Sequence, residues 1–195
     1  MSADPRNFTL EQVLADCWQR LNDGVTDRKS PFHTPSVATV TAAGTPSCRT
    51  VVLRACDSAG RRLRFHTDRR SAKVDELARA PALALHVYDP AAKLQLRISG
   101  EAGLHYDDEE ADAAWAAARA MSRECYRVEP GPGTPIASPG QADGVTLEPD
   151  TARGNFVVVW VQLTCFEWLY LAGAGHRRAR FRWDEGMPHG EWLVP

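Results

Sequence analysis

A mainly β protein with flanking helices is what this sequence predicts, its strands forming an antiparallel meander that closes into a barrel. Three observations carry that prediction. Strand-like runs recur at short intervals from residue 36 to the C-terminus, several of them rich in β-branched residues or alternating apolar with polar positions. Tight turns of Gly, Pro, Asp and Ala separate neighbouring runs, as consecutive antiparallel strands require. Helix-periodic segments stand before the runs and between them.

The elements follow in order. "FTLEQVLADCWQRLNDG", residues 8–24, predicts a helix. Thr9 is its N-cap, Gln12 three residues on completes a capping box, and Gly24 reads as the stop. Leu10, Val13, Leu14, Cys17, Trp18 and Leu21 form one apolar stripe. "SVATVTA" turns at Ala43-Gly44 into "SCRTVVLRAC", and "DSAG" turns into "RRLRFHT". The helix "SAKVDELARA" is stopped by Pro81, and "ALALHVYD" turns at Pro90 into "KLQLRISGEAGL". "DDEEADAAWAAARAMSREC" reads as one alanine-rich helix with an acidic N-terminus. Residues 128–154 are loaded with Pro and Gly and read as a long loop. "NFVVVWVQLTCFEWLYL", "HRRARFRW" and "EWLVP" complete the strands. The roughly 40 residues beyond the loop are too few to fold alone, so residues 1–195 read as one domain.

Composition narrows the function. The 195 residues are 44% hydrophobic and 25% charged, ordinary values for a soluble globular chain. A formal net charge of −2 argues against general nucleic-acid affinity. No apolar run approaches the ~18 residues of a membrane span, and the N-terminus lacks a signal-peptide pattern. Five scattered cysteines with no C-x-x-C fit a reducing cytoplasm better than a disulfide framework or zinc site. G-x-S-x-G, P-loop, G-x-G-x-x-G and metal-spaced histidines are all missing.

The residues that stand out are cations at strand ends and at one helix start. In "RTVVLR", Arg49 and Arg54 are an odd number of residues apart, so one strand points them to opposite faces. In "RFHTDRRSAK", Ser71 can cap a helix whose start is crowded by Arg69, Arg70 and Lys73. Free amides, a positive dipole end and cations together make a phosphate seat, although a solvated basic turn accounts for the same residues. Arg49 joins that seat or stays at a strand edge, depending on register. "LQLRISG" puts Gln95 and Arg97 on one face, facing either a ligand or solvent. In "HRRARFRW", His176, Arg178, Arg180 and Arg182 share a face and repel one another unless anions or solvent screen them. Trp115, Arg119 and Arg123 recur every four residues and share a helix face. Phosphate binders without acids, bases or nucleophiles fit a protein whose reactive group is a phosphorylated cofactor.

Taken in order, "RTVVLR", "FHT", "SAK", "LQLRISG", "FEWL", "HRRARF" and "WLVP" resemble the pyridoxamine 5′-phosphate oxidase family from about residue 35 onward. That resemblance implies an FMN-binding split β-barrel, a homodimer with FMN at the subunit interface, and hydride transfer from a small substrate to the flavin. It implies that Arg49, Thr50, Val51, Val52 and Leu53 line FMN. His66 and Thr67 take the family's aromatic-Thr place, and Ser71 and Lys73 stand at the FMN phosphate. Gln95 and Arg180 stand at the ring. Arg54, Trp115, Arg119, Arg123, His176 and Arg178 fall where the family holds substrate, pyridoxamine or pyridoxine 5′-phosphate in the true oxidases. Departures concentrate there: Arg54 replaces a lysine, Ala72 an FMN-phosphate arginine, and His176-Arg177-Arg178 an R-L-H triplet. The family's Gln-Ser pair has no counterpart. A non-catalytic flavin- or haem-binding protein of the same fold is the alternative reading.

Overall fold

The computed structural model describes residues 4–143, 147–184 and 186–195. The first helix, α1 (Leu10–Thr26), opens with the expected capping box. Gln12 N donates to Thr9 Oγ1 at 3.3 Å, and Thr9 N donates to Gln12 Oε1 at 2.8 Å. Its stripe buries Val13, Cys17 and Leu21 and lays Trp18 against Phe166, ring centroids 4.8 Å apart. Gly24 is not the stop. The helix runs two residues past it, and a Cβ there would lie 2.6 Å from the carbonyl carbon of Phe32. Gly24 is a close-approach glycine inside the helix.

Among the described residues nine strands form one antiparallel sheet: β1 (Ser36–Val40), β2 (Pro46–Thr50), β3 (Leu53–Asp57), β4 (Arg62–Asp68), β5 (Ala82–Asp89), β6 (Leu94–His105), β7 (Phe156–Tyr170), β8 (Arg177–Asp184) and β9 (Met187–Leu193). The order is β2-β1-β5-β6-β7-β4-β3, with β8 on β7 and β9 on β8. The fifteen residues of β7 explain the split. Residues 156–162 pair with β4, residues 165–170 pair with β8, and β6 covers the opposite edge. One long strand thus changes partner half-way.

"RTVVLR" is not one strand. It breaks at Val51-Val52, where pairing passes from β1 to β4. Since β2 and β3 are the two ends of the sheet path, this hexapeptide carries the chain across the barrel seam. Burial still alternates through the break: Val51 and Leu53 are buried and Arg54 is exposed.

The main core fills the barrel beneath α1. A smaller cluster of Ala111, Ala114, Tyr126, Ala152, Phe156 and Val158 lies on the other face of β7. Here too the chain departs from the sequence reading. The alanine-rich segment is not one helix but α3 (Glu109–Ala117) and α4 (Ala120–Arg123), separated by Ala118 with extended backbone. Tyr126 packs on Trp115 and Phe156, which needs the chain to fold back. Arg123 caps the end of α3 through Ala116 O at 2.7 Å. The Pro/Gly segment is likewise not all loop: α5 (Pro149–Gly154) starts with proline at its first position. Among the described residues no helix is long and apolar enough to cross a membrane.

Candidate functional site

The basic turn after β4 leads into α2 (Ala72–Arg79). Two of its three cations are neutralised. Arg70 pairs with Asp68 at 2.7 Å, and Arg69 pairs with Asp107 at 3.0 Å while lying over the Tyr106 ring. Lys73 differs: its ammonium donates to Thr67 Oγ1 at 2.8 Å and Ser71 Oγ at 3.0 Å. Ser71 therefore does not cap α2 with its side chain, as the sequence predicts, but serves Lys73. Burial lowers the Lys73 pKa, and Arg49 adds to that. One hydroxyl proton is used between Thr67 and Ser71, 3.3 Å apart, leaving a second hydroxyl proton and an ammonium proton to donate. Beside the first amides of α2, this donor set fits a phosphate.

Register resolves Arg49. It pairs with Val37 on β1 and points with Thr39 to the inward face, towards α2. There Nη2 meets Glu76 Oε2 at 2.9 Å and Ser47 Oγ at 2.7 Å, and Nη1 donates to Thr39 Oγ1. Arg49 thus reaches the seat with its charge already paired. Burial works to raise the Glu76 pKa, and hydrogen bonds from Thr39 and Arg49 more than offset that, leaving it lowered. Neither Thr39 nor Glu76 stands out in the sequence. The available signals are an inward threonine in the alternation of "SVATV" and a glutamate at helical spacing from Lys73. Of the other residues in "RTVVLR", Val51 and Leu53 send their side chains into the core, and the Val51 amide is donated to Pro35 O at 2.9 Å. Thr50 is exposed and Val52 half-buried.

A second group stands on the other face of β4. His66 meets Phe156 edge-on at 4.8 Å, and its Nε2 is buried without a hydrogen-bond partner. Burial first, then Arg64 and Arg54, push its pKa down to about 3. Arg54 therefore lies on the His66 side and Arg49 on the Glu76 side, as alternation predicts. Trp115 packs into the smaller core, and Arg123 lies 5.2 Å from its ring centroid. The helical spacing that predicts this contact is absent. Arg119, exposed at the break, does not join them.

Gln95 and the β8 cations lie elsewhere. Cross-strand register sets Gln95, Leu169, Arg178 and Leu193 in one row on the outward face, and Arg97, Glu167, Arg180 and Glu191 in the next. The β8 cations do not form a bare row. Glu167 holds Arg178 at 2.5 Å and Arg97 at 3.4 Å, and Glu191 holds Arg180 at 2.7 Å. His176 and Arg178 line a cavity of about 590 Å³ with Arg6, Trp192 and the C-terminal Pro195.

This sequence and fold have counterparts. The family model for "Pyridoxamine 5'-phosphate oxidase, FMN-binding domain" matches residues 15–106, which contain the whole Lys73 seat. The chain is 31% identical over 144 residues to pyridoxine/pyridoxamine 5′-phosphate oxidase 2 of Arabidopsis thaliana, covering 69% of this chain and 72% of that protein. The chain belongs to the pyridoxamine 5′-phosphate oxidase family. Bacterial oxidases match over less, with 38% to 53% of their length spanned. Two solved structures share the family's split-barrel fold across the whole chain. One is a pyridoxamine 5′-phosphate oxidase-related, FMN-binding protein from Nostoc punctiforme (TM-score 0.77, 24% identity, all of both chains). The other is PhzG from Burkholderia lata in complex with tetrahydrophenazine-1-carboxylic acid (TM-score 0.74, 19% identity, 100% of this chain and 98% of that one). At the start of α2 this member of the family carries Lys73, preceded by Ala72.

Proposed function

We propose that this protein is an FMN-dependent oxidoreductase that takes hydride from a small substrate, working as a homodimer. The observation that carries the reading is Lys73, a half-buried ammonium held by two buried hydroxyls at a helix start, with donors left over. Bound FMN would supply the hydride acceptor, and the protein supplies orientation and electrostatics. Thr67, Ser71 and Lys73 hold the phosphate, with Arg49 beside them. Gln95 and Arg180 serve the ring. His66, with its pKa near 3, stays a neutral imidazole at physiological pH.

Strand geometry supports the dimer. Thr67 pairs with Val157 and Gln95 with Leu169, at opposite ends of β7. Twelve residue steps of strand, about 40 Å of path, separate the phosphate residues from the ring residues. One flavin meets both sets if the ring residues come from a second copy. Arg178, in the cavity wall, is the cross-strand neighbour of Leu169 in the Gln95 row, which supports a substrate bound beside the ring. Pyridoxamine or pyridoxine 5′-phosphate is the family substrate to try first.

Purified protein is expected to be yellow and to bleach when mixed anaerobically with a substrate amine. A colourless protein that ignores added FMN sinks the proposal. A yellow protein that no amine or nicotinamide donor reduces assigns the flavin a storage or sensing role.

A further inference from the structure

The phosphate seat contains its own carboxylate. Glu76 follows Lys73 by one turn of α2, its side chain is only 8% exposed, and Oε2 accepts from Thr39 Oγ1 at 2.5 Å and from Arg49 Nη2 at 2.9 Å. Through Thr39, Ser47 and Glu76 both terminal nitrogens of Arg49 are engaged within the seat wall. Two cations and one carboxylate leave a single net positive charge there, against about −1.5 to −2 on a phosphate monoester. A buried carboxylate among donors opposes an anion directly, and it also supplies the partner without which Arg49 would be buried unpaired beside Lys73.

We propose that Glu76 is the internal counter-ion of the phosphate seat: it holds Arg49 in the wall, competes with the ligand phosphate for that guanidinium, and so sets how strongly the protein prefers a phosphorylated flavin over an unphosphorylated one. The inference rests on the FMN reading above. It makes Glu76 a specificity-setting residue that acts through Arg49 without touching the flavin ring. The seat exchanges affinity for stability, a compromise common where charges converge on a ligand.

The test is a set of titrations of flavin-free protein with FMN and with riboflavin, followed by flavin fluorescence, for wild type, Glu76→Gln, Arg49→Gln and the double variant. Glu76→Gln is expected to bind FMN on the order of tenfold tighter, with riboflavin affinity unchanged, because only the phosphate feels the lost carboxylate. Arg49→Gln leaves Glu76 unpaired and is expected to lose more than about tenfold in FMN affinity, and the double variant to return most of that loss. FMN affinity that is unchanged or weaker in Glu76→Gln, or that tightens equally for riboflavin, overturns the inference. If Glu76→Gln does not fold, the double variant against Arg49→Gln decides alone: no recovery overturns it. Wild-type protein that binds no FMN overturns the flavin reading itself, in the first titration.

Discussion

Removing the Lys73 ammonium strips Thr67 and Ser71 of the donor they share and takes one charge from the seat. Lys73→Ala is therefore expected to weaken FMN by about 1.5–3 kcal/mol, the range for a charge-assisted hydrogen bond. Riboflavin should bind as before, and equal loss of both ligands in a titration would show that Lys73 does not face phosphate. His66 makes a different prediction. Its folded pKa is about 3, while the unfolded chain binds that proton near the ordinary 6.5. The protonation-linked cost of burying it thus vanishes above about pH 6.5, and stability falls as the pH drops from there towards 3. At pH 5 the loss from this group is about 2 kcal/mol. His66→Phe keeps an aromatic edge for Phe156 and removes the proton, so its urea midpoint should fall less between pH 7 and pH 5 than that of wild type. Which cations are free was not legible in the sequence at this scale. Arg69, Arg70 and Lys73 look alike in "TDRRSAK", and Asp107, distant in the chain, is one of the groups that tell them apart.

At the scale of elements, the sequence is legible where the information is local. The capping box of α1, the alternation of β6 and the turns at Asp57–Gly60 and Pro90 all depend on residues a few positions apart. Gly24 shows where such reading stops. Helix propensity alone says that Gly24→Ala stabilises α1 by about 0.5–1 kcal/mol. The 2.6 Å approach to the Phe32 backbone says the opposite, since backbone cannot step aside cheaply. Overpacking costs about 1–3 kcal/mol, so the clash outweighs the propensity, and a lower melting temperature is expected for Gly24→Ala. A rise would mean that the α1–Phe32 contact is loose. The alanine-rich segment breaks at Ala118 for a related reason: packing of Tyr126 against Trp115 and Phe156 outweighs the small helix preference of three or four residues. Trp115 and Arg123 meet all the same, by a fold-back that periodicity does not encode.

For the whole molecule, the proposed two-copy flavin site gives a test by complementation, since Thr67 and Gln95 pair with opposite ends of β7. A Lys73→Ala chain and a Gln95→Ala/Arg180→Ala chain should each bind FMN more weakly than wild type, so that at a limiting FMN concentration only wild-type sites fill. In a dimer whose sites each take one half from either copy, mixing them after denaturation and refolding regenerates one intact site per mixed dimer, about a quarter of wild-type sites. No recovery would place both halves in a single chain. The sequence by itself determined the strand order along the chain, the capped first helix, the opposite facing of Arg49 and Arg54, and the ordered motifs that mark the family. These rest on periodicity and on short-range hydrogen bonding, which neighbouring residues specify. Only the tertiary structure decided that "RTVVLR" crosses the barrel seam, that Glu76 meets Arg49, that Glu167 and Glu191 pair with Arg178 and Arg180, and that Thr67 and Gln95 pair with opposite ends of β7. The physical reason is range. A charge finds its partner through sheet register and strand order, which place side by side residues that the chain keeps far apart.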